Sequence, residues 1–167
     1  MKNFIIKTAS TFKDAIIISQ HISDIWKDEI NNDYYTKMYN HITKFKQGYI
    51  IGYLAHKPVS SSLAFPIGRI PSFNEINQGN IFDFFDKNSK YYYIHIIQVI
   101  ETVRNKGFGI KLLRHQINTA RKHKYREIVG MAIDRELALW KKCGFQDFGE
   151  FGIYKHYGRM KWVKMPI

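Results

Sequence analysis

At 167 residues, with 45% apolar and 24% charged side chains, the chain has the length of one domain and the composition of a protein that builds its own core. Disorder, collagen and a disulfide scaffold are excluded. The 26 Lys and Arg outweigh the 14 Asp and Glu for a net charge of +12, a field that attracts polyanions without choosing among nucleic acid, anionic membrane and phosphorylated small molecules. Cys143 is the single cysteine, so neither an internal disulfide nor a multi-cysteine zinc site is available. No window approaches the ~20 apolar residues of a membrane span. Residues 1–7 lack a signal-length apolar region and a small-residue cleavage site, so a cytoplasmic protein with no membrane partner is expected.

In chain order, residues 4–8 predict a short strand. A helix over 11–30, capped by Ser10 or Thr11, carries Ile17, Ile18, His21, Ile22, Ile25 and Trp26 as an apolar stripe. A second helix over 33–46 sets Tyr35, Met38, Tyr39 and Ile42 on one face. Residues 49–55 and 59–65 predict a hairpin turning at His56-Lys57-Pro58. The stretch 68–90 mixes Gly, Pro, Asn and Ser with aromatics and reads as a long loop with a short helix at 81–85; loops of that length are commonly functional. Residues 91–99 are apolar or aromatic on both faces, as in a central strand. A helix over 107–124 follows, with Ile110, Leu113, Ile117 and Ala120 on its apolar side. A strand over 127–133 leads to a helix over 135–142 that ends at Gly144. Closing strands are expected over 145–151 and 154–163. The last interleaves bases with aromatics, and an amphipathic strand with Met160 and Trp162 facing the core is favoured over a nucleic-acid surface. This order implies a mixed α/β sheet, and no repeat or Pro/Gly-rich linker divides the single domain expected over 1–167.

The chemistry concentrates at Arg104-Asn105-Lys106-Gly107-Phe108-Gly109, between the 91–99 strand and the next helix. Two glycines one residue apart let backbone amides approach a ligand. The first helical turn then offers unpaired N–H groups and the positive end of the dipole. Arg104 and Lys106 add charge, and the whole is a pyrophosphate cradle. A P-loop is excluded because Gly-Lys followed by Ser or Thr is absent. A dinucleotide fingerprint is excluded by Leu112 where a third glycine belongs, and by a position past mid-chain.

R-x-x-G-x-G at such a junction resembles the acetyl-CoA motif of the GCN5-related N-acetyltransferases (GNAT). The segment 99–113 looks like that family's strand, loop and helix. Leu139-Trp140-Lys141-Lys142-Cys143-Gly144-Phe145 resembles its later signature, Leu-Tyr-x-x-x-Gly-Phe. The resemblance implies a single-domain fold whose mostly antiparallel central sheet is splayed at the cofactor slot, between the 91–99 and 127–133 strands. It implies acetyl-CoA as cosubstrate, with its pantetheine along the backbone of Ile97, Gln98 and Val99. The pyrophosphate would lie on the amides of Asn105, Lys106, Gly107, Phe108, Gly109 and Ile110, with Arg104 anchoring the loop. The reaction implied is direct transfer of an acetyl group to a primary amine of a small molecule or peptide.

His95 is the candidate base, two residues before Ile97 on the same strand face and with an ordinary pKa of about 6.5. It resembles the second of two strand histidines in arylalkylamine N-acetyltransferases; the first of that pair is Tyr93 here. The family's thiolate-protonating tyrosine falls on Trp140, whose indole donates a hydrogen bond but is no acid at physiological pH. Either Tyr93, Tyr154 or Tyr157 is then the proton donor or coenzyme A leaves with solvent help, and Trp140 is a residue lining the pantetheine channel. Glu101 reads as solvated and Cys143 as a small packed residue without an adjacent base. No HExxH or comparable spacing is present, so no metal is expected. Acceptor contacts are expected from 26–39 and 68–90, where Trp26, Tyr34, Tyr35, Phe73, Phe82, Phe84 and Phe85 favour an apolar amine, and Asp28, Glu29, Asp33, Asp83 and Asp86 are available to hold an ammonium. Two other readings stand beside this one: a basic RNA-associated protein of the same fold, and a non-catalytic acyl-CoA-binding module. Either a monomer or a homodimer is compatible with the sequence.

Overall fold

The computed structural model describes residues 3–26, 30–78, 80–153 and 158–167. Seven strands form one mixed sheet in the order β1-β2-β3-β4-β5-β7-β6, flanked by helices. The chain divides into two compact units, residues 1–64 with 96–116 and residues 65–95 with 117–167. Each unit combines two separate stretches of chain.

In the first unit, β1 (Phe4–Thr8) pairs antiparallel with β2 (Tyr49–Leu54), Phe4 opposite Leu54. Helix α1 (Phe12–Trp26) starts on a capping box. Asp14 N–H donates to Thr11 Oγ1 (3.1 Å), while the Asp14 carboxylate accepts from the N–H groups of Ser10 and Thr11 at 2.9 Å each. Thr11 is therefore the cap. Helix α2 (Asn32–Lys44) is capped by Asn31, whose side chain accepts from Tyr34 N–H. Ile18, Ile22, Met38 and Ile42 are all buried, as the 3.6-residue stripes require. Residues 27–29, the end of the expected first helix, lie outside the described residues.

The hairpin turn begins one residue earlier than expected and has two residues in place of three. Ala55 (φ 48°) and His56 (φ 68°) occupy the two-residue turn in left-handed conformation, so Lys57 pairs with Leu54 and already belongs to β3 (Lys57–Ile67). Pro58, which has no N–H for the ladder, is accommodated beside a register shift at Gly52/Tyr53.

In the second unit, the expected 68–90 loop contains helix α3 (Phe73–Gln78). Its start is a second capping box: Glu75 N–H donates to Ser72 Oγ (3.3 Å) and the Glu75 carboxylate accepts from Ser72 N–H (2.8 Å). Arg69 adds a bidentate pair to Glu75 and, with Ser72, holds the Glu75 carboxyl down at about 2. A 3₁₀ turn follows at Ile81–Phe84. Strands β4 (Tyr91–Val99) and β5 (Glu127–Ile133) match the sequence reading and run parallel. Helix α4 (Phe108–Lys122) is the crossover such a pair requires. Register pairs run from Tyr91↔Glu127 only to Ile94↔Gly130, although β4 continues to Val99 and β5 to Ile133.

Helix α5 (Leu137–Lys142) ends in a Schellman motif. Gly144 (φ 97°) donates to Lys141 O (3.0 Å), Phe145 N–H donates to Trp140 O (3.2 Å), and the Trp140 and Phe145 rings meet edge-to-face at 4.8 Å. Strands β6 (Gln146–Ile153) and β7 (Arg159–Pro166) close the sheet. The last expected strand shifts toward the C-terminus: residues 154–157 lie outside the described residues, and β7 runs past 163 because Lys164, Met165 and Pro166 pair with β5. Met160 and Trp162 are buried as expected, and Val163 is buried too, since β7 is interior to the sheet.

Candidate active site

The first unit holds the 104–110 loop. After Val99 the chain takes a 3₁₀ turn over Glu101–Val103, closed by Val103 N–H to Ile100 O (3.2 Å) and Arg104 N–H to Glu101 O (3.1 Å). Ile100 N–H donates to Val59 O (3.0 Å), which ties the turn to β3. Arg104 Nε donates back to the Val99 carbonyl (3.2 Å), anchoring the loop to the strand it leaves. Asn105 (φ 63°) and Gly107 (φ 78°) then take left-handed conformations. Such alternation turns successive amides toward one side, the arrangement of an anion nest. A Cβ on Gly107 would meet nothing within 4 Å, so its glycine answers to the backbone angle and leaves the approach open. The first helical bond of α4 is Lys111 N–H to Gly107 O (3.2 Å). The amides of Phe108, Gly109 and Ile110 therefore precede the helical ladder and present the positive end of its dipole. Arg104, Asn105 and Lys106 are exposed. These groups suit a pyrophosphate: amide donors, cations and no side chain in the way.

Upstream on β4, Gln98 is buried, and its Nε2 donates to Ser61 Oγ (2.7 Å) and the Ile18 carbonyl (3.3 Å). Ser61 Oγ also meets His21 Nδ1 at 3.1 Å. Because side chains alternate along a strand, Ile97 and Val99 lie on the face opposite Gln98, both half-buried. The Gln98 side chain is thus a structural tie, and its backbone is the part that the resemblance assigns to the cofactor.

The second unit holds His95 and Tyr93, which share one face of β4. The Tyr93 hydroxyl and His95 Nδ1 are 3.2 Å apart. Tyr93 is fully buried, whereas His95 is half-buried. Phe82 meets the imidazole edge-on at 5.7 Å between centroids and Phe65 at 6.1 Å. The ring is walled by aromatics and oriented by one hydroxyl.

Trp140 is 4% exposed. A Cβ on Gly130 would sit 2.8 Å from its indole, so Gly130 is the gap into which the ring fits, at the last register pair of β4 with β5. Glu101 is exposed, as expected, and Cys143 is half-buried at the end of α5. Tyr154 and Tyr157, the alternative proton donors, lie outside the described residues, as do Asp28 and Glu29 and the side chain of Trp26. Asp33 is paired with Lys37 at 2.7 Å. Among the described residues no group of three or more His, Cys, Asp or Glu side chains is placed to hold a metal, and no helix is long and apolar enough to cross a membrane.

Residues that the sequence reading did not single out also border these features: Phe65, Ser61, Gly130 and Phe4, whose ring stacks on Phe108. Phe65 meets His95, Ser61 meets Gln98 and Gly130 faces Trp140, and no local signal marks any of the four.

Solved structures define the class of protein first: this is the fold of the GNAT acyltransferases. The chain is similar to the loading GNATL domain of CurA from Lyngbya majuscula, with a TM-score of 0.78, 11% identity and 98% of each chain covered. It is similar to Ard1 from Thermoplasma volcanium, with a TM-score of 0.71, 14% identity and coverage of 98% of this chain and 97% of that one. It is also similar to Arabidopsis thaliana Naa50 in complex with the bisubstrate analogue CoA-Ac-MVNAL, with a TM-score of 0.69, 16% identity and coverage of 98% and 99%. At such identities the likeness establishes the fold alone. Among curated proteins no sequence matches. The family is given by the sequence itself: residues 18–145 match the Acetyltransferase (GNAT) family, and the chain belongs to that family of transferases.

Proposed function

We propose that this protein is an N-acetyltransferase that moves an acetyl group from acetyl-CoA to a primary amine of a small molecule or peptide. The observation that carries the reading is the 104–110 loop, where left-handed Asn105 and Gly107 open onto the unladdered amides of α4 beside Arg104 and Lys106. Those amides would hold the pyrophosphate, and the backbone of Ile97, Gln98 and Val99 the pantetheine. When bound, acetyl-CoA supplies a thioester carbonyl open to attack by an amine.

His95 would take the proton that the ammonium must lose. Its Nδ1 meets the Tyr93 hydroxyl, and in the tautomer with Nδ1–H donating to that oxygen, Nε2 would be the atom that takes the proton. As the amine nitrogen bonds to the carbonyl carbon, the carbon–sulfur bond breaks and the thiolate takes a proton. Tyr93, already within reach of His95, is the candidate donor. Trp140 is assigned to packing against Gly130 and Phe145, with any contact to the cofactor confined to the little surface it exposes. The aromatic walls around His95 and the charge of +12 favour an acceptor with an apolar body over a polycation.

The test is calorimetric binding of acetyl-CoA to wild type, Gly107→Glu and Gly107→Asn at one ionic strength. Asparagine tolerates left-handed φ and adds no charge, whereas glutamate puts an anion where the pyrophosphate would lie. Micromolar binding that survives in Gly107→Asn and is lost in a folded Gly107→Glu supports the reading. Absence of binding to wild type overturns it, and RNA affinity against salt then becomes the next measurement.

A further inference from the structure

Phe4 opens β1, far along the chain from the 104–110 loop. Its ring nevertheless stacks on Phe108, with centroids 4.3 Å apart and planes 14° from parallel. Phe108 is the first residue of α4, and its side chain is buried while its amide belongs to the cradle. Lys111, on the same first turn, lies over both rings, 5.4 Å from the Phe4 centroid and 5.8 Å from that of Phe108. Phe4 is itself seated on Gly52 of β2: a Cβ there would collide with the Phe4 ring and the Ser60 hydroxyl. A chain of contacts thus runs from the β1–β2 ladder through Gly52 and Phe4 to the helix turn whose amides face the anion.

We propose that Phe4 is a positioning residue of the cofactor site: by clamping Phe108 it holds the Phe108, Gly109 and Ile110 amides in the orientation a pyrophosphate needs. The inference rests on reading 104–110 as the pyrophosphate cradle. The loop is anchored at its start, where Arg104 Nε donates to the Val99 carbonyl, and the stack on Phe4 adds a second hold at its far end, on the first residue of α4. A stacked pair fixes two planes at once, which a merely apolar contact does not.

The experiment compares CoA with pantetheine, which lacks the pyrophosphate and nucleotide, on wild type, Phe4→Leu and Gly52→Ala. Leucine keeps apolar cover over β2 but has no flat face to stack. Gly52→Ala leaves both rings intact and pushes Phe4 off its seat, so it carries the comparison should Phe4→Leu fail to fold. CoA affinity is expected to fall about 10-fold in both variants, with pantetheine affinity, followed at millimolar concentration, held within about twofold of wild type. An equal loss for both ligands marks a general structural role and overturns the proposal. Unchanged CoA affinity in folded variants overturns it as well. A wild type that binds neither ligand overturns the cradle reading itself, and this inference with it.

Discussion

His95 meets the Tyr93 hydroxyl through Nδ1 and packs against Phe65 and Phe82. In the proposed mechanism Nε2 takes the proton, so loss of the imidazole should strike chemistry and spare the cofactor. We expect His95→Gln to lower kcat for amine acetylation by about 100-fold or more, with acetyl-CoA affinity unchanged. Tyr93→Phe should cost less in kcat and should shift the pH–rate profile, because it removes the group that holds the tautomer. A His95→Gln enzyme of near-normal kcat would remove this residue from the mechanism. In the sequence His95 is marked by its place on the 91–99 strand and, through the family resemblance, by its distance from Arg104. Its aromatic walls are not, since Phe65 and Phe82 reach it from β3 and from the 3₁₀ turn after α3.

Local chemistry decides the helix and strand ends. The Schellman motif at Gly144 and the Thr11 and Ser72 capping boxes are each made by residues within one turn of one another. The Gly144 stop could be read ahead of the structure for that reason. The Ser72-x-x-Glu75 signature was equally available, but the surrounding Gly, Pro and Asn mask it as loop. Gly130 is a different case, because its need for glycine comes from α5. The Trp140 indole occupies the space a Cβ would take, and the Ile94 carbonyl is 3.3 Å away on the other side. Gly130→Ala should therefore destabilise the protein by about 1–3 kcal/mol through overpacking. Trp140→Leu in the same chain should recover part of that loss, so that the double variant is more stable than the two single losses predict, read from urea midpoints. Strict additivity would show that the two residues do not share this space.

For the whole molecule, pH dependence of stability follows from groups whose protonation changes on unfolding. Burial lowers the pKa of His21, against the pull of Asp24 and the Pro58 carbonyl, and burial lowers that of His115. Unfolded, both return to about 6.5. As pH falls below that value the unfolded chain gains protons that the folded chain refuses, so stability must fall with pH. Glu75, held at about 2 by Arg69 and Ser72, and Asp147, held at about 2 by Lys141 and Lys161, are ionised in both states above pH 5, so the stability they add is level there and is lost only as pH falls further. The melting temperature should drop between pH 7 and pH 5, and His21→Gln with His115→Gln should flatten that drop. A wild-type melting temperature that is level or rises toward pH 5 would contradict the assignment.

By itself the sequence determined the order of the strands and of every α-helix but α3, the extents of β4 and β5, the glycine loop at 104–109 and the family. These rest on periodicity, caps and spacing, which act over one or two turns of chain. Only the tertiary structure decided that Phe4 lies on Phe108, that Gln98 ties to Ser61 and that Trp140 fills the gap at Gly130. Such contacts depend on strand register and on how a helix is laid over a sheet. One residue of slip in a strand would turn Phe4 or Gln98 to the opposite face, and no local pattern at Phe4 or Gly130 records which register wins.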